Sequence, residues 1–142
     1  MPETTFRTRL ASHVLGAAVA ILVAGAPAAE AEDTLAEAQA AAGHVWYDKY
    51  CTSCHGPGGA PGSAVYSGTS EKVDLRRYVA RHGGKFPAGK WIAVVEQTET
   101  KAPHADVWQQ ILKAQPPTLS QRPAARGVVV LIAEYIMSIQ TE

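Results

Sequence analysis

The stretch YCTSCHGPGG, residues 50–59, contains the only two cysteines of the 142-residue chain. Two residues separate Cys51 from Cys54, and His55 follows directly. This spacing is compatible with a disulfide, half of a zinc site, a redox-active pair or the attachment of a covalent group. The sequence on either side of the stretch distinguishes among these four possibilities.

Length and charge limit the class of protein. A chain of 142 residues is about the size of one domain. Thirteen basic and thirteen acidic residues give a formal net charge of zero. No overall positive field therefore attracts nucleic acid, and we expect no nucleic-acid partner.

The N-terminal segment has the features of an export signal. Two arginines precede a run from Val14 to Ala29 that contains no charged residue. This run is shorter than the about 20 apolar residues that cross a bilayer, and residues 29–31, Ala-Glu-Ala, match the A-x-A cleavage pattern. We predict a signal peptide over residues 1–31, a mature domain over residues 32–142 and a periplasmic location. Retention of the segment as a membrane anchor is the alternative.

The mature region favours helices. Apolar residues recur at helical spacing, and no stretch alternates apolar and polar side chains before a hairpin turn. We therefore predict an all-α fold with about five helices. The first runs from the capping box Thr34–Glu37 to about Tyr50, and the second from Asp74 to Gly83. The third has Pro87 in its first turn, the fourth spans residues 105–114, and the fifth runs from about Pro123 to Gln140.

Three of the four possibilities for the cysteine pair leave something unexplained. A zinc site needs four ligands, and the chain has no second cysteine pair and no closely spaced histidine pair. A thioredoxin-like pair needs a βαβ context, which the helical pattern does not offer. A plain disulfide gives no reason for the histidine at position 55.

The pattern C-x-x-C-H explains all three residues together. The thiols of Cys51 and Cys54 add across the two vinyl groups of haem, and the imidazole of His55 then reaches the iron as the proximal axial ligand. We therefore predict one haem c, with its iron, in each chain.

With this motif, the chain resembles the monohaem class I c-type cytochromes over nearly the whole mature region. The resemblance rests on GHVWYDKYCTSCHG, residues 43–56, and less specifically on VDLRRYVARHGGKFPAGKW, residues 73–91. It implies the small cytochrome c fold, with about five helices wrapped around one covalently attached haem. It also implies that Gly43 lets the last helix cross the first closely, with Tyr135 packed into the crossing.

The resemblance further implies periplasmic electron transfer, by a free carrier or by the haem subunit of an oxidoreductase complex, and no enzyme activity of the chain itself. In the family, the second ring nitrogen of the proximal histidine donates to the carbonyl of a downstream proline. Pro57 and Pro61 are both candidates for that acceptor here.

The sixth iron ligand departs from the family pattern. The usual distal ligand is a methionine, but KAPHADVWQQI, residues 101–111, occupies that place. No methionine lies between Cys54 and Met137, and we expect Met137 to be a core side chain. We predict His104 as the distal ligand. An open iron position and ligation by Lys101 are the alternatives, and an open position would favour a haem protein that binds NO or CO.

Basic residues are concentrated in one segment that could meet a redox partner. We interpret them as a docking patch for an acidic partner protein, with an ordinary solvated face as the alternative. Contact with the membrane should be peripheral or absent unless the signal is retained. The residues are Lys72, Arg76, Arg77, Arg81, Lys85 and Lys90, near Glu71 and Asp74.

Overall fold

The computed structural model describes residues 28–97 and 103–141. The described residues form six α-helices and no strand beyond one isolated bridge between Val65 and Lys72, which confirms the all-α prediction. The predicted signal peptide lies almost entirely outside them. The helices are α1 Ala28–Tyr50, α2 Thr52–His55, α3 Tyr78–Arg81, α4 Ala88–Val95, α5 Ala105–Lys113 and α6 Gln121–Ser138, with 3₁₀ turns at Pro57–Gly59 and Leu75–Arg77.

The start of α1 differs from the prediction. The helix begins at Ala28, so the expected capping box at Thr34 lies inside it. The Thr34 hydroxyl donates to the carbonyl of Ala31, at 3.0 Å, instead of capping a helix start. The cause is the sequence that precedes Thr34, since alanine and glutamate have high helix propensity and allow the helix to extend.

Asp74 is the N-cap residue of the 3₁₀ turn Leu75–Arg77, at the position where the sequence predicts a helix to begin. Its Oδ1 accepts the backbone N–H of Arg76 at 3.1 Å, and the 3₁₀ turn Leu75–Arg77 leads directly into α3. The same carboxylate also accepts two hydrogen bonds from the Arg76 guanidinium, both at 2.9 Å. Gly83 follows α3 with a positive φ of 73°, which is where the sequence predicted this helix to end.

The fold is organised around the crossing of α1 with α6. At this crossing a β-carbon on Gly43 would overlap the backbone carbonyl of Leu131 and lie 3.0 Å from the β-carbon of Tyr135. The Tyr135 side chain is buried in the crossing, with its ring centre 5.1 Å from that of Tyr47. The predicted roles of Gly43 and Tyr135 are therefore confirmed.

Helices α4 and α5 pack on α6 and complete the core. The indole N–H of Trp91 in α4 donates to the carbonyl of Val129 in α6 at 3.1 Å. The largest fully buried side chains are Trp108, Tyr47, Ile111, Ile132, Ile136 and Val129.

Met137 is not the core side chain that the sequence predicted, because it is 37 % exposed. It lies two turns after Val130 on the outer face of α6, and Val130 is also exposed. Both line a shallow apolar groove between α4 and α6. The periodicity of α6 indicated a helix but did not show which face would be covered.

The side chain of Gln140 joins the end of α6 to the Asp74 turn and α3. Its amide oxygen accepts the backbone N–H of Val79 at 2.8 Å. Its amide nitrogen donates to the carbonyls of Leu75, at 2.9 Å, and Ile136, at 2.6 Å. No helix of the described part of the chain is long and apolar enough to cross a membrane.

Candidate functional site

The cysteine motif forms a helical turn directly after α1. The backbone N–H of Cys51 donates to the carbonyl of Tyr47 at 2.8 Å, and that of His55 donates to the carbonyl of Cys51 at 2.9 Å. Cys51 is half-buried and Cys54 is exposed, and both are free thiols. The two cysteines therefore do not pair with each other, and the helical turn holds both next to His55.

A turn through Gly56 closes the motif. Gly56 has a φ of 78°, a left-handed conformation that only glycine adopts readily. Its carbonyl accepts the hydroxyl hydrogen of Tyr47 at 2.7 Å. Burial raises the pKa of that hydroxyl, so it remains a protonated donor and ties the turn to α1.

His55 and His104 come together in the structure. Their imidazole planes are 3° apart, and their ring centres are separated by 6.0 Å. His104 is the N-cap residue of α5 and its carbonyl accepts the backbone N–H of Trp108 at 2.9 Å. Its own backbone N–H contacts the Gln97 side-chain oxygen at 3.4 Å.

The separation of the two rings suits an ion between them. Direct contact between ring atoms needs about 3.5–4.0 Å, which is well below the distance between these ring centres. Two metal–imidazole bonds of about 2 Å each, plus the distance from each nitrogen to its ring centre, account for about 6 Å. The pair His55 and His104 therefore has the ring separation expected of two imidazoles that would hold one metal ion between them.

Burial keeps both imidazoles neutral. It lowers the pKa of His55 to about 4, with a smaller contribution from the neighbouring His104. Burial also lowers the pKa of His104. A neutral imidazole has the free lone pair that metal ligation requires, so both side chains are in the ligating form at neutral pH.

The prediction that the second ring nitrogen of His55 donates to a downstream proline carbonyl is wrong in this structure. Its Nδ1 is buried and has no hydrogen-bond partner, and the same is true of Nδ1 in His104. The carbonyl of Pro57, one of the two expected acceptors, accepts the backbone N–H of Ala60 at 3.3 Å instead. The 3₁₀ turn over Pro57–Gly59 uses that carbonyl for its own closure.

The environment of Cys51 argues against a redox-active pair. Burial, with a smaller contribution from the charge of Cys54, raises the pKa of the Cys51 thiol to about 12. Redox-active cysteines have lowered pKa values, because the thiolate is the nucleophile. Within the described ranges, no three histidine, cysteine, aspartate or glutamate side chains converge as a site for a bare metal ion.

Two other histidines of the described residues, His44 and His82, lie outside this site. His44 is exposed on α1 and stacks on Tyr135, with ring centres 4.6 Å apart. His82 follows the last residue of α3, and its Nδ1 lies 2.8 Å from the carbonyl of Tyr78. Lys101, the alternative distal ligand, falls outside the described residues.

Trp108 follows His104 along α5 and is not among the predicted site residues. It lies one turn after His104 on α5, is fully buried, and has an indole N–H without a hydrogen-bond partner. The guanidinium of Arg122 lies 5.9 Å from its ring centre. The spacing of four residues between His104 and Trp108 was the signal that could have identified it.

Comparison of the chain with protein-family models, with curated proteins and with solved structures finds no match in any of the three.

Proposed function

We propose that this chain is a monohaem c-type cytochrome that transfers single electrons. Cys51 and Cys54 would hold the haem by thioether bonds, and His55 and His104 would be its axial ligands. The observation that carries the proposal is the parallel pair of half-buried imidazoles with 6.0 Å between their ring centres, one of which directly follows the cysteine pair.

The residues have distinct tasks in this proposal. Bound haem supplies a one-electron couple between ferrous and ferric iron. His55 is held in place by its bond to Cys54 and by the helical turn, whereas His104 approaches from the start of α5. Their low pKa values keep both in the ligating form over the physiological pH range.

The helical frame would insulate the haem. Tyr47 and Trp108 are fully buried beside the two ligand segments, and Tyr47 also holds the turn after the motif. Excluding water lowers the local dielectric and tunes the reduction potential. Ligation by two histidines, without the methionine that raises the potential of cytochromes c, should give a comparatively low-potential centre.

The proposed place of action is the periplasm, with residues 1–31 as the export signal. The proposed partner is a redox protein with an acidic surface, and the chain acts as a carrier or as the haem subunit of an oxidoreductase complex. Charge on both surfaces would steer the encounter more than it adds affinity. Electron-transfer rates with such a partner should therefore fall as salt concentration rises.

Mass spectrometry of the protein, produced in a host that attaches haem c, tests whether the chain carries covalent haem. The expected mass contains one haem, with neither Cys51 nor Cys54 available to a thiol reagent. The absorption spectrum should be that of a six-coordinate, low-spin haem without the near-infrared band of sulfur–iron charge transfer. A mass without haem, with two reactive thiols, would contradict the proposal.

Titration of the reduced protein with CO separates this function from small-ligand binding. With His104 as the proposed sixth ligand, CO must displace an imidazole, so binding should be slow or incomplete. Rapid and complete binding would instead favour an open iron position and a protein that binds NO or CO.

A further inference from the structure

The last turn of α1 carries an aromatic pair with a cation over it. The rings of Trp46 and Tyr50 are 2° from parallel, with centres 5.9 Å apart. The ammonium of Lys49 lies 5.4 Å from the first ring centre and 5.1 Å from the second. These three residues share one helix face because they occupy positions i, i+3 and i+4.

This face connects solvent to the cysteine motif. Trp46 is half-buried, Lys49 is exposed, and Tyr50 is only 8 % exposed. Tyr50 directly precedes Cys51. The aromatic pair therefore extends from the surface to the residue next to the first attachment cysteine.

Lys49 is available to an incoming negative charge. None of the ion pairs among the described residues involves it. The neighbouring carboxylate of Asp48 accepts the Thr52 hydroxyl at 3.1 Å and lies 3.4 Å from His44, so it is engaged on another face of the helix.

We propose that the face formed by Trp46, Lys49 and Tyr50 is the surface on which a redox partner bearing carboxylates docks and exchanges its electron. This inference rests on the proposed function. The two rings offer an apolar contact that excludes water, and the ammonium over them attracts the carboxylate and sets its position. The exchange would involve one electron, which the partner would give up and for which bound haem would supply the accepting couple, with no bond or proton exchanged.

The basic segment Lys72 to Lys90 is the competing surface, and part of its charge is already neutralised. Arg76 pairs with Asp74 at 2.9 Å, and Arg81 pairs with Glu71 at 2.6 Å. Lys85 has no such pair among the described residues. Lys85→Glu is therefore the matched control for Lys49→Glu, because both reverse one exposed lysine.

A binding experiment tests the surface without any electron transfer. Hexacyanochromate(III), a redox-inert and paramagnetic trianion, is added to the reduced holoprotein, and the indole N–H signals are followed by NMR. The Trp46 signal should broaden selectively, because Trp91 is bonded to Val129 and Trp108 is fully buried. Lys49→Glu should abolish the broadening and Lys85→Glu should preserve it.

A kinetic experiment uses two oxidants of opposite charge. At low ionic strength, Lys49→Glu should slow oxidation of the reduced holoprotein by ferricyanide about threefold or more and accelerate oxidation by hexaammineruthenium(III). Both effects should vanish near 1 M salt, where the Debye length is about 3 Å. The reduction potential and thermal midpoint should not change, since Lys49 is exposed.

The inference is overturned if Lys49→Glu behaves as wild type in both experiments, or if Lys85→Glu has the larger effect. Either result would leave the proposed function intact, because the haem is established separately by mass. Absence of haem from the wild-type mass would instead remove the proposed function itself.

Discussion

The imidazole planes of His55 and His104 differ by 3° in orientation although the two residues belong to distant segments of the chain. His55 is fixed by the turn after α1, and His104 by the N-terminus of α5. Both rings are neutral because burial lowers their pKa values. The fold thus brings two neutral imidazoles to one place, with a separation between their ring centres that would suit a metal between them.

His104→Ala should convert the oxidised holoprotein from a low-spin form to a high-spin or water-ligated form, because the variant lacks the proposed sixth ligand. Added imidazole should restore the low-spin spectrum. Absorption and electron paramagnetic resonance spectra measure both changes.

His44→Ala is the control for this variant, since His44 is an exposed histidine of α1 outside the site. Its spectra should match those of the wild type. An unchanged spectrum and potential in His104→Ala would show that another group, or none, occupies the sixth position.

Gly43→Ala should destabilise the protein by about 1–3 kcal/mol, as expected for overpacking. The new methyl group would overlap the carbonyl of Leu131 at the crossing of α1 with α6. Helix propensity alone predicts the opposite sign, a gain of about 0.5–1 kcal/mol. Urea unfolding of the variant and the wild type distinguishes the two effects.

Gly127→Ala supplies the matched control, because Gly127 also lies inside a helix, α6, but has open space where a β-carbon would be. This variant should gain stability by about 0.5–1 kcal/mol. If both glycine variants stabilise the protein, the close crossing at Gly43 is not present in solution.

Asp74→Ala should cost about 1 kcal/mol at neutral pH through loss of the N-cap. The side-chain hydrogen bonds from Arg76 hold the pKa of Asp74 below its usual value. A lowered native pKa means that the charged form stabilises the fold above the usual value of about 3.9, and that this stability disappears as pH falls through the native pKa. The difference between wild type and variant should therefore shrink in acid.

Asp74→Asn separates the two contributions, since asparagine is also a good N-cap. It removes only the charge, and the ion pair with the partly exposed Arg76 should contribute little because water screens it. Unfolding curves at several pH values check both variants. A stability difference for Asp74→Ala that stays constant into acid would contradict the proposed role of the carboxylate.

Local signals in the sequence predicted the features that depend on few residues. The cysteine motif is one helical turn, so the placement of His55 next to Cys54 follows from spacing alone, and Asp74 is recognisable as a cap from its neighbours. Gly43 was interpretable through a family resemblance that linked it to Tyr135. The ligand role of His104 remains a prediction, although the structure places its ring parallel to that of His55, with 6.0 Å between the ring centres.

Features that depend on the packing of whole helices could not be predicted in the same way. Helical periodicity places Met137 on α6 but does not decide which side of α6 the other helices cover. Thr34 resembled a helix start, yet the helix-forming residues before it extend α1. The carbonyl of Pro57 was a plausible acceptor for His55 until the turn that uses it was known.

Gln140→Glu should destabilise the protein more than Gln140→Ala at neutral pH, although it preserves the size of the side chain. Alanine removes three hydrogen bonds, at about 0.5–1.5 kcal/mol each. A carboxylate could still accept the N–H of Val79, but it would place a negative charge against the carbonyls of Leu75 and Ile136, which the native amide nitrogen donates to. Below the usual glutamate pKa of about 4.3, the protonated group can donate again, so Gln140→Glu should recover stability relative to Gln140→Ala as pH falls.

Thermal unfolding of both Gln140 variants at neutral and acidic pH measures this recovery. Gln109→Ala, on the exposed side of α5, is a control that should change stability by less than about 0.5 kcal/mol. Equal stability of the two Gln140 variants at every pH would mean that the amide does not bridge these carbonyls in solution.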